Sequence, residues 1–275
     1  WTNMVECLER FVSNICTIFG NQYLRRPTNE DTERLLQLGA ARGFPGMLGS
    51  IDCMHWEWKN CPVAWKGQFC RGDHRNPTII LEAVASQDLW IWQVFFGVVG
   101  SNNDITVLNG SNVFDEVLSA CAPAVQYTVN RTQYNMGYYL ADGIYPDFAT
   151  FVKTISMPHE EKRKLFAQRQ ESTRKDVERT FGVLQSRFAI IRGPSRFWDI
   201  AKMKNIIYAC IILHNMIVED ERDTYQSNID YDNVGNNTST FEVSLGAHPS
   251  IRSTYLQRSR GSQQTKTPTT PSRFS

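Results

Sequence analysis

The chain carries 275 residues, 41% of them apolar and 12% aromatic, enough for one substantial domain or two small ones and expected to be globular with polar ends. Its formal net charge is only +1, so the total gives no support to nucleic-acid binding and any basic surface has to be local. Seven cysteines (Cys7, Cys16, Cys53, Cys61, Cys70, Cys121 and Cys210) form no CxxC pair, nothing resembles a signal peptide, and no apolar stretch reaches the roughly 18 to 20 residues that span a bilayer, so a soluble intracellular protein with free thiols and no membrane association is expected.

Val5, Leu8, Val12, Ile15 and Ile18 recur every three to four residues and predict an amphipathic helix over 2–20, ending at Gly20. The chain opens at Trp1 inside this pattern and without a methionine, as a fragment would. Thr28 then precedes Glu30 and Asp31, an N-cap with acids in the first turn, and the helix over Leu35, Leu36 and Leu38 stops at Gly43. Residues 1–47 therefore read as a helical lead-in.

From Gly49 the period changes. Ser50–Trp56 reads as a buried strand, Pro77–Ser86 as a second and Leu89–Val99 as a third, the last two joined by Gln87-Asp88 as a two-residue hairpin connection. Asp104 is placed to cap a helix over Val107, Leu108, Val113, Phe114 and Leu118. Tyr138–Ala141 is a short strand ending at Asp142, where Gly143 and Pro146 force a turn. Residues 158–176 hold few large apolar side chains apart from Leu165 and Phe166. Val177, Phe181, Leu184 and Phe188 then define the buried stripe of a helix, with Glu178 on its first turn beside the stripe. A last helix, Met203–Val218, is apolar nearly all round and should be core. Beyond it Asn, Ser, Thr, Gln and Arg dominate, and 221–275 reads as a mostly disordered tail.

Three acids stand where a carboxylate is chemically awkward. Asp52 lies inside an apolar strand, Asp142 follows a strand, and Glu178, with 35 residues between it and Asp142, edges an apolar stripe. We read them as one metal-binding set, with Asp104 as a possible additional acid whose simpler role is the N-cap. Cys53, His55, Cys61, Cys70 and His74 invite a zinc reading, but their spacings match no common structural-zinc pattern; buried thiols and a strand histidine are the expectation. His214 and Asn215 read as a hydrogen-bonded core pair. From 151 to 200 there are 11 Lys/Arg against 6 Asp/Glu. Lys162, Arg163, Lys164, Arg169, Arg174, Lys175, Arg179 and Arg187 therefore surround Glu178 with positive charge, and Lys164, Arg174, Lys175, Arg179 and Arg187 are candidates for DNA backbone contact, set against a merely solvated face.

The element order, three strands in meander, helix, strand, helix, with acids on the first strand, after the fourth and on the following helix, matches a ribonuclease-H-like α/β core over 48–220. The segments GSIDCMHW, PTIILEAVASQDLWIWQVFFG, GSNNDITVL, GYYLADGIYP, VERTFGVLQSRF and ILHNMIVED resemble the Harbinger-type transposases and their domesticated plant derivatives. That resemblance implies a DDE-type nuclease site in which the family's three acids match Asp52, Asp142 and Glu178. Two divalent ions, Mg²⁺ or Mn²⁺, about 3.5–4 Å apart, serve such chemistry by activating the nucleophile and neutralising the leaving oxygen, and carboxylates are the hard ligands they prefer. Asp52 is expected to bridge both ions, Asp142 to bind one and Glu178 the other. The resemblance further implies DNA as partner, a separate Myb-like DNA-binding protein, a homo-oligomer as an option, and residence in the nucleus with the cytoplasm as a second location. The segment after about Ser244 departs from the family's helical end, as a truncated or misjoined gene model would. Two functions follow: a metal-dependent DNA endonuclease, or a catalytically silent derivative serving as a chromatin or transcription-complex subunit.

Overall fold

The computed structural model describes residues 2–72, 76–111 and 125–226. Two helices, α1 (Thr2–Tyr23) and α2 (Asn29–Ala41), lead into the sheet. α2 begins as its sequence dictates: the Thr28 hydroxyl accepts from the Asp31 amide while the Asp31 carboxylate accepts from the Thr28 amide, a closed capping box, and Gly43 at φ +85° follows its end. α1 runs past Gly20, the expected stop. Tyr23 is buried, stacks on Trp90 at 5.9 Å and donates its hydroxyl to Glu219 at 2.6 Å, and this tertiary anchoring outweighs the roughly 1 kcal/mol that a helical glycine costs.

β1 (Met47–Glu57) is the central strand. A short helix, α3 (Lys66–Phe69), precedes β2 (Thr78–Ala85), which pairs antiparallel with β1, and β3 (Ile91–Val99) pairs antiparallel with β2. After α4 (Asp104–Gly110) come a separate hairpin, β4 (Tyr127–Val129) and β5 (Thr132–Tyr134), and then β6 (Tyr138–Ala141) and β7 (Phe151–Lys153). β6 joins β1 in parallel and β7 joins β6 in parallel, giving the order β3-β2-β1-β6-β7. A long helix α5 (Glu161–Arg187), a turn of helix α6 (Ala189–Arg192) and a long helix α7 (Ile200–Gln226) complete the described chain.

Strand alternation divides the core into two faces. Met54, Trp56, Leu81 and Ala83 meet Val177, Phe181 and Leu184 of α5 and Met203, Ile207 and Ile211 of α7. Ile51, Val84 and Trp92 belong to a second cluster with Leu108, Tyr139, Tyr145 and Phe151. Each fully buried side chain of this size contributes roughly 1.5–3 kcal/mol, so the sheet is held from both sides. Gly49 is needed where β1 and β2 close up, since a Cβ there would stand 2.7 Å from the Ala85 carbonyl oxygen.

Four expectations need correction. The β2–β3 connection is longer than Gln87-Asp88: Ser86 and Trp90 close a three-residue loop in which Leu89 takes φ +69°, an αL residue that a leucine rarely supplies. α5 begins at Glu161, so Glu178 sits in mid-helix and not in a first turn. The earlier part of α5 turns Gln170, Thr173 and Asp176 inward, and buried polar residues hide a helical stripe from any reading based on apolar spacing. The last helix extends to Gln226, beyond Val218. The β4–β5 hairpin and β7 add to the expected order; the hairpin turns on Asn130 and Arg131, both at positive φ, without the Asn-Gly pair that signals such a turn. Val113, Phe114, Leu118, Cys121, His74 and the tail from 227 lie outside the described residues.

Candidate functional site

Asp52 stands in the middle of β1, opposite Ala83 of β2, on the face that α5 covers. α5 presents Arg174 and Glu178 one turn apart. Arg174 Nη1 donates to Asp52 Oδ2 at 3.0 Å, and Nη2 donates to Glu178 Oε1 at 2.7 Å. Two acids far apart in the chain therefore share a single guanidinium. The Arg174 and Asp52 side chains are 11% and 17% exposed against 44% for Glu178, so the bridge is dry at its inner end and wet at its outer one.

Burial pushes the Asp52 carboxyl up to about 6; the Cys53 amide at 2.9 Å and the Arg174 charge oppose this, while Glu178 and Asp104 add to it. Arg174 feels the converse: burial works against its charge, but Asp52, Glu178 and Asp142 raise its pKa on balance. Asp142 directly follows β6, and its Oδ1 accepts from the Ile144 amide at 3.0 Å, an Asx turn that fixes the loop. Asp104 opens α4 but does not cap it. Asn103 is the cap, accepting from the Thr106 amide at 2.9 Å, which overturns the N-cap reading of Asp104. The Asp104 carboxyl is raised by burial and by Asp142, against the pull of a Cys53 hydrogen bond and Arg71. The four acids thus form one electrostatic neighbourhood: Asp142 and Asp52 both act on or feel Asp104, and Glu178 acts on Asp52.

Behind Asp52, the next residues of β1 and β2 point to the opposite face. Cys53 pairs across the sheet with Glu82, and the Cys53 thiol lies 3.7 Å from the Tyr145 hydroxyl. Glu82 is fully buried, and neither carboxylate oxygen makes a hydrogen bond of good geometry. Burial pushes it up to about 7, tempered by the Ser111 hydroxyl and reinforced by Asp104. Sequence patterning did not single out Glu82, although a lone acid inside TIILEAVA is the signal that could have found it. The bridging role of Arg174 was equally missed, and its place four residues before Glu178 on one helix face is the signal there.

Among the described residues no three His, Cys, Asp or Glu side chains stand close enough to hold a metal ion between them. Asp52 and Glu178 converge on a guanidinium instead. Their donor chemistry still fits a hard divalent ion: the acids are anionic oxygen ligands, and Arg174 already occupies a place between them where positive charge is stabilised. Among the described residues the zinc candidates form no three-ligand group. Cys61 is buried, and His55 Nδ1 is 3.0 Å from the Thr78 hydroxyl.

Of the proposed DNA-contacting cations, Lys164 and Lys175 are exposed, Lys164 beside Glu161 at 3.1 Å. Arg179 reaches back to the Gln87 carbonyl at 2.8 Å and to Asp176 at 3.3 Å. Arg174 turns inward, and Arg187, 14% exposed, pairs with Glu221 at 2.5 Å and with His214 Nδ1 at 3.2 Å. His214 and Asn215 are wholly buried and hydrogen-bonded, as expected. No described helix is long and apolar enough to cross a membrane.

Comparison with known proteins adds relatives at low identity. Residues 21–225 match the model of a family described as plant transposon protein. An Arabidopsis thaliana protein named "Protein ALP1-like" is 26% identical over 66% of this chain and 45% of its own length. Proteins named "Putative nuclease HARBI1" from Bos taurus and Homo sapiens are each 23% identical over 80% of this chain and 61% of their own. The chain thus spans about half to three fifths of these relatives, and no solved structure matches it. With the family model covering most of the chain, including every acid of the site, this protein belongs to the plant transposon protein family, in keeping with a Harbinger-type origin.

Proposed function

We propose that the chain is a metal-dependent DNA endonuclease built on a ribonuclease-H-like core. The strand order β3-β2-β1-β6-β7, with the first three strands antiparallel and β6 and β7 parallel to β1, supports that core. The single observation that carries the reading is the Asp52–Arg174–Glu178 bridge, which brings the first and third acids of the set together on one cation. Asp52, Asp142 and Glu178 would hold the divalent ions, with Asp104 beside them. Bound there, two such ions supply an activated water and neutralise the leaving oxygen of a phosphodiester.

The chain's own residues do the rest. β1 fixes Asp52 against rotation through the Cys53 amide, and the Asx turn orients Asp142. Arg174 holds Glu178 toward the sheet while its outer edge stays wet enough for a strand to approach. The relatives named "Putative nuclease" support a nuclease reading. A DNA substrate places the protein in the nucleus, and target choice falls to a separate Myb-like protein. The guanidinium also favours a second reading, a silent chromatin subunit in which Arg174 permanently neutralises the site.

Nicking of supercoiled plasmid in Mn²⁺ separates the two. The expected result is cleavage by the wild-type chain that falls at least about 100-fold, the loss typical when a key electrostatic group is removed, in Asp52→Asn and Glu178→Gln proteins of unchanged far-UV circular dichroism. Equal nicking by wild type and Asp52→Asn ends the nuclease reading.

A further inference from the structure

We propose that the surface built by the loop after β1 and the loop before α7 is a stacking platform for a single nucleic-acid strand. Trp58 is the hub. It is wholly buried, donates Nε1–H to the Phe197 carbonyl at 2.7 Å and packs against Trp65 at 6.1 Å and Phe69 at 5.0 Å. Lys59 donates its amide to the Ser195 carbonyl at 2.9 Å, and Trp56 donates Nε1–H to the Gly193 carbonyl at 2.8 Å. The two loops are therefore one rigid wall, not two independent surfaces.

On that wall stand two tryptophans that the core does not use fully: Trp198, 68% exposed, and Trp65, 45% exposed. Around them are four exposed cations, Lys59, Lys66, Arg192 and Arg196, none in an ion pair among the described residues. No acid occurs from Trp58 to Gly72 or from Phe188 to Trp198. Of the flanking acids, Glu57 accepts from the Asn76 side-chain amide at 3.0 Å and Asp199 from the Ala201 backbone amide at 2.8 Å, while Asp73 lies outside the described residues.

Exposed indole faces interleaved with uncompensated positive charge suit a polymer that presents flat bases and phosphates together. A duplex hides its base faces in the stack, whereas a single strand offers them, and base–aromatic stacking is tolerant of sequence. The wall begins six residues along the chain from Asp52, about 20 Å at strand rise, so it would hold a strand at a distance from the acids. The inference rests on the nuclease reading only for the kind of polymer and requires no turnover.

The test is fluorescence anisotropy of a labelled oligothymidylate of about 20 nucleotides, and of a duplex of that length, with the full chain in EDTA. Wild type should prefer the single strand. Trp198→Ala should weaken it about 10-fold and Trp198→Phe much less, because a ring remains to stack. The Lys59→Ala/Arg196→Ala double variant should make the log–log salt slope shallower by about 1.4, two phosphates' worth for a single strand. The assay contains no free divalent metal and reads binding alone, so a failed nicking assay leaves this result untouched. Equal affinity in wild type and Trp198→Ala overturns the platform, as does absence of wild-type binding, which would leave the wall to a protein partner. Thermal melts of each variant check folding, and Trp198 is exposed enough to be removed without opening the core.

Discussion

Two of the buried polar clusters among the described residues are finished to different degrees. Around α7, Asn215 spends its whole amide: Oδ1 accepts from the Ile91 amide at 3.0 Å, while Nδ2 donates to the Tyr23 and Ile91 carbonyls, each at 2.8 Å. His214 donates from Nε2 to the Leu89 carbonyl at 2.8 Å, which leaves Nδ1 to accept from Arg187, and burial together with the Arg187 charge lowers its pKa to about 4. Around Asp52 the accounts stay open. Neither Glu82 oxygen makes a hydrogen bond of good geometry, Arg174 Nε has none, and Asp52 and Glu82 are held far from their ordinary ionisation. A saturated cluster stabilises a fold, while an unsaturated one costs stability and is the mark of a site waiting for something to bind.

The comparison breaks most visibly at Asn215. Asn215→Ala strips partners from the Ile91 amide and carbonyl and from the Tyr23 carbonyl at once, all deep in the core. Each buried orphan costs about 1–3 kcal/mol and partial relaxation recovers some of it, so urea unfolding should show a loss of about 4 kcal/mol. A loss under about 1 kcal/mol would mean that the cluster is not the anchor its geometry indicates.

Asp52→Asn should do the opposite while abolishing nicking. The folded carboxyl is raised to about 6 from an ordinary value of 3.8, so between those values the native state holds a proton that the unfolded chain has released. Native stability therefore falls as pH rises through that window, by roughly 3 kcal/mol at about 1.4 kcal/mol per pH unit. Asparagine does not titrate. The variant should match wild type near pH ~4 and exceed it by up to about 3 kcal/mol at pH ~7, read by denaturant melts at both. A variant less stable than wild type at neutral pH would show that Asp52 is structural.

These two regions also differ in how legible they are from sequence. The His214-Asn215 pair is visible because polar residues interrupt an otherwise apolar helix, and the pattern asks for partners. The N-cap at Thr28, the strand around Asp52 and the strand ending at Asp142 are legible for similar reasons, since local chemistry and tertiary context agree there. The first half of α5 is not legible, because Gln170, Thr173 and Asp176 point inward where a stripe of leucines would have announced a helix. Gln170 shows why: its amide bonds to the Ala141 and Val152 carbonyls at 3.0 and 3.1 Å and ties α5 to the end of β6 beside Asp142. Arg174 looked like part of a basic surface because sequence gives charge but not direction.

The smallest effect is expected at Arg174 itself, and it sharpens the contrast furthest. Arg174→Gln removes two ion pairs, but it also relieves the desolvation of a guanidinium that is 11% exposed and has an unpartnered Nε. Removing one partner of a buried pair typically costs about 3–5 kcal/mol, but Glu178 is 44% exposed and Asp52, already raised to about 6, can take up a proton, so the metal-free variant should lose only about 1–2 kcal/mol. The loss leaves Asp52 and Glu178 facing each other without their shared cation, and a divalent ion then gains what the guanidinium had supplied. Mn²⁺ that binds only the folded chain stabilises it by about 2.7 kcal/mol at 100 times its Kd, so a tighter site shows as a melting shift reached at lower Mn²⁺. In a thermal-melt titration the Arg174→Gln curve should rise earlier than wild type, and Glu178→Gln, which lacks one ligand, should rise later. Coincident curves for wild type and Arg174→Gln would mean that the guanidinium and the ion do not compete for one place.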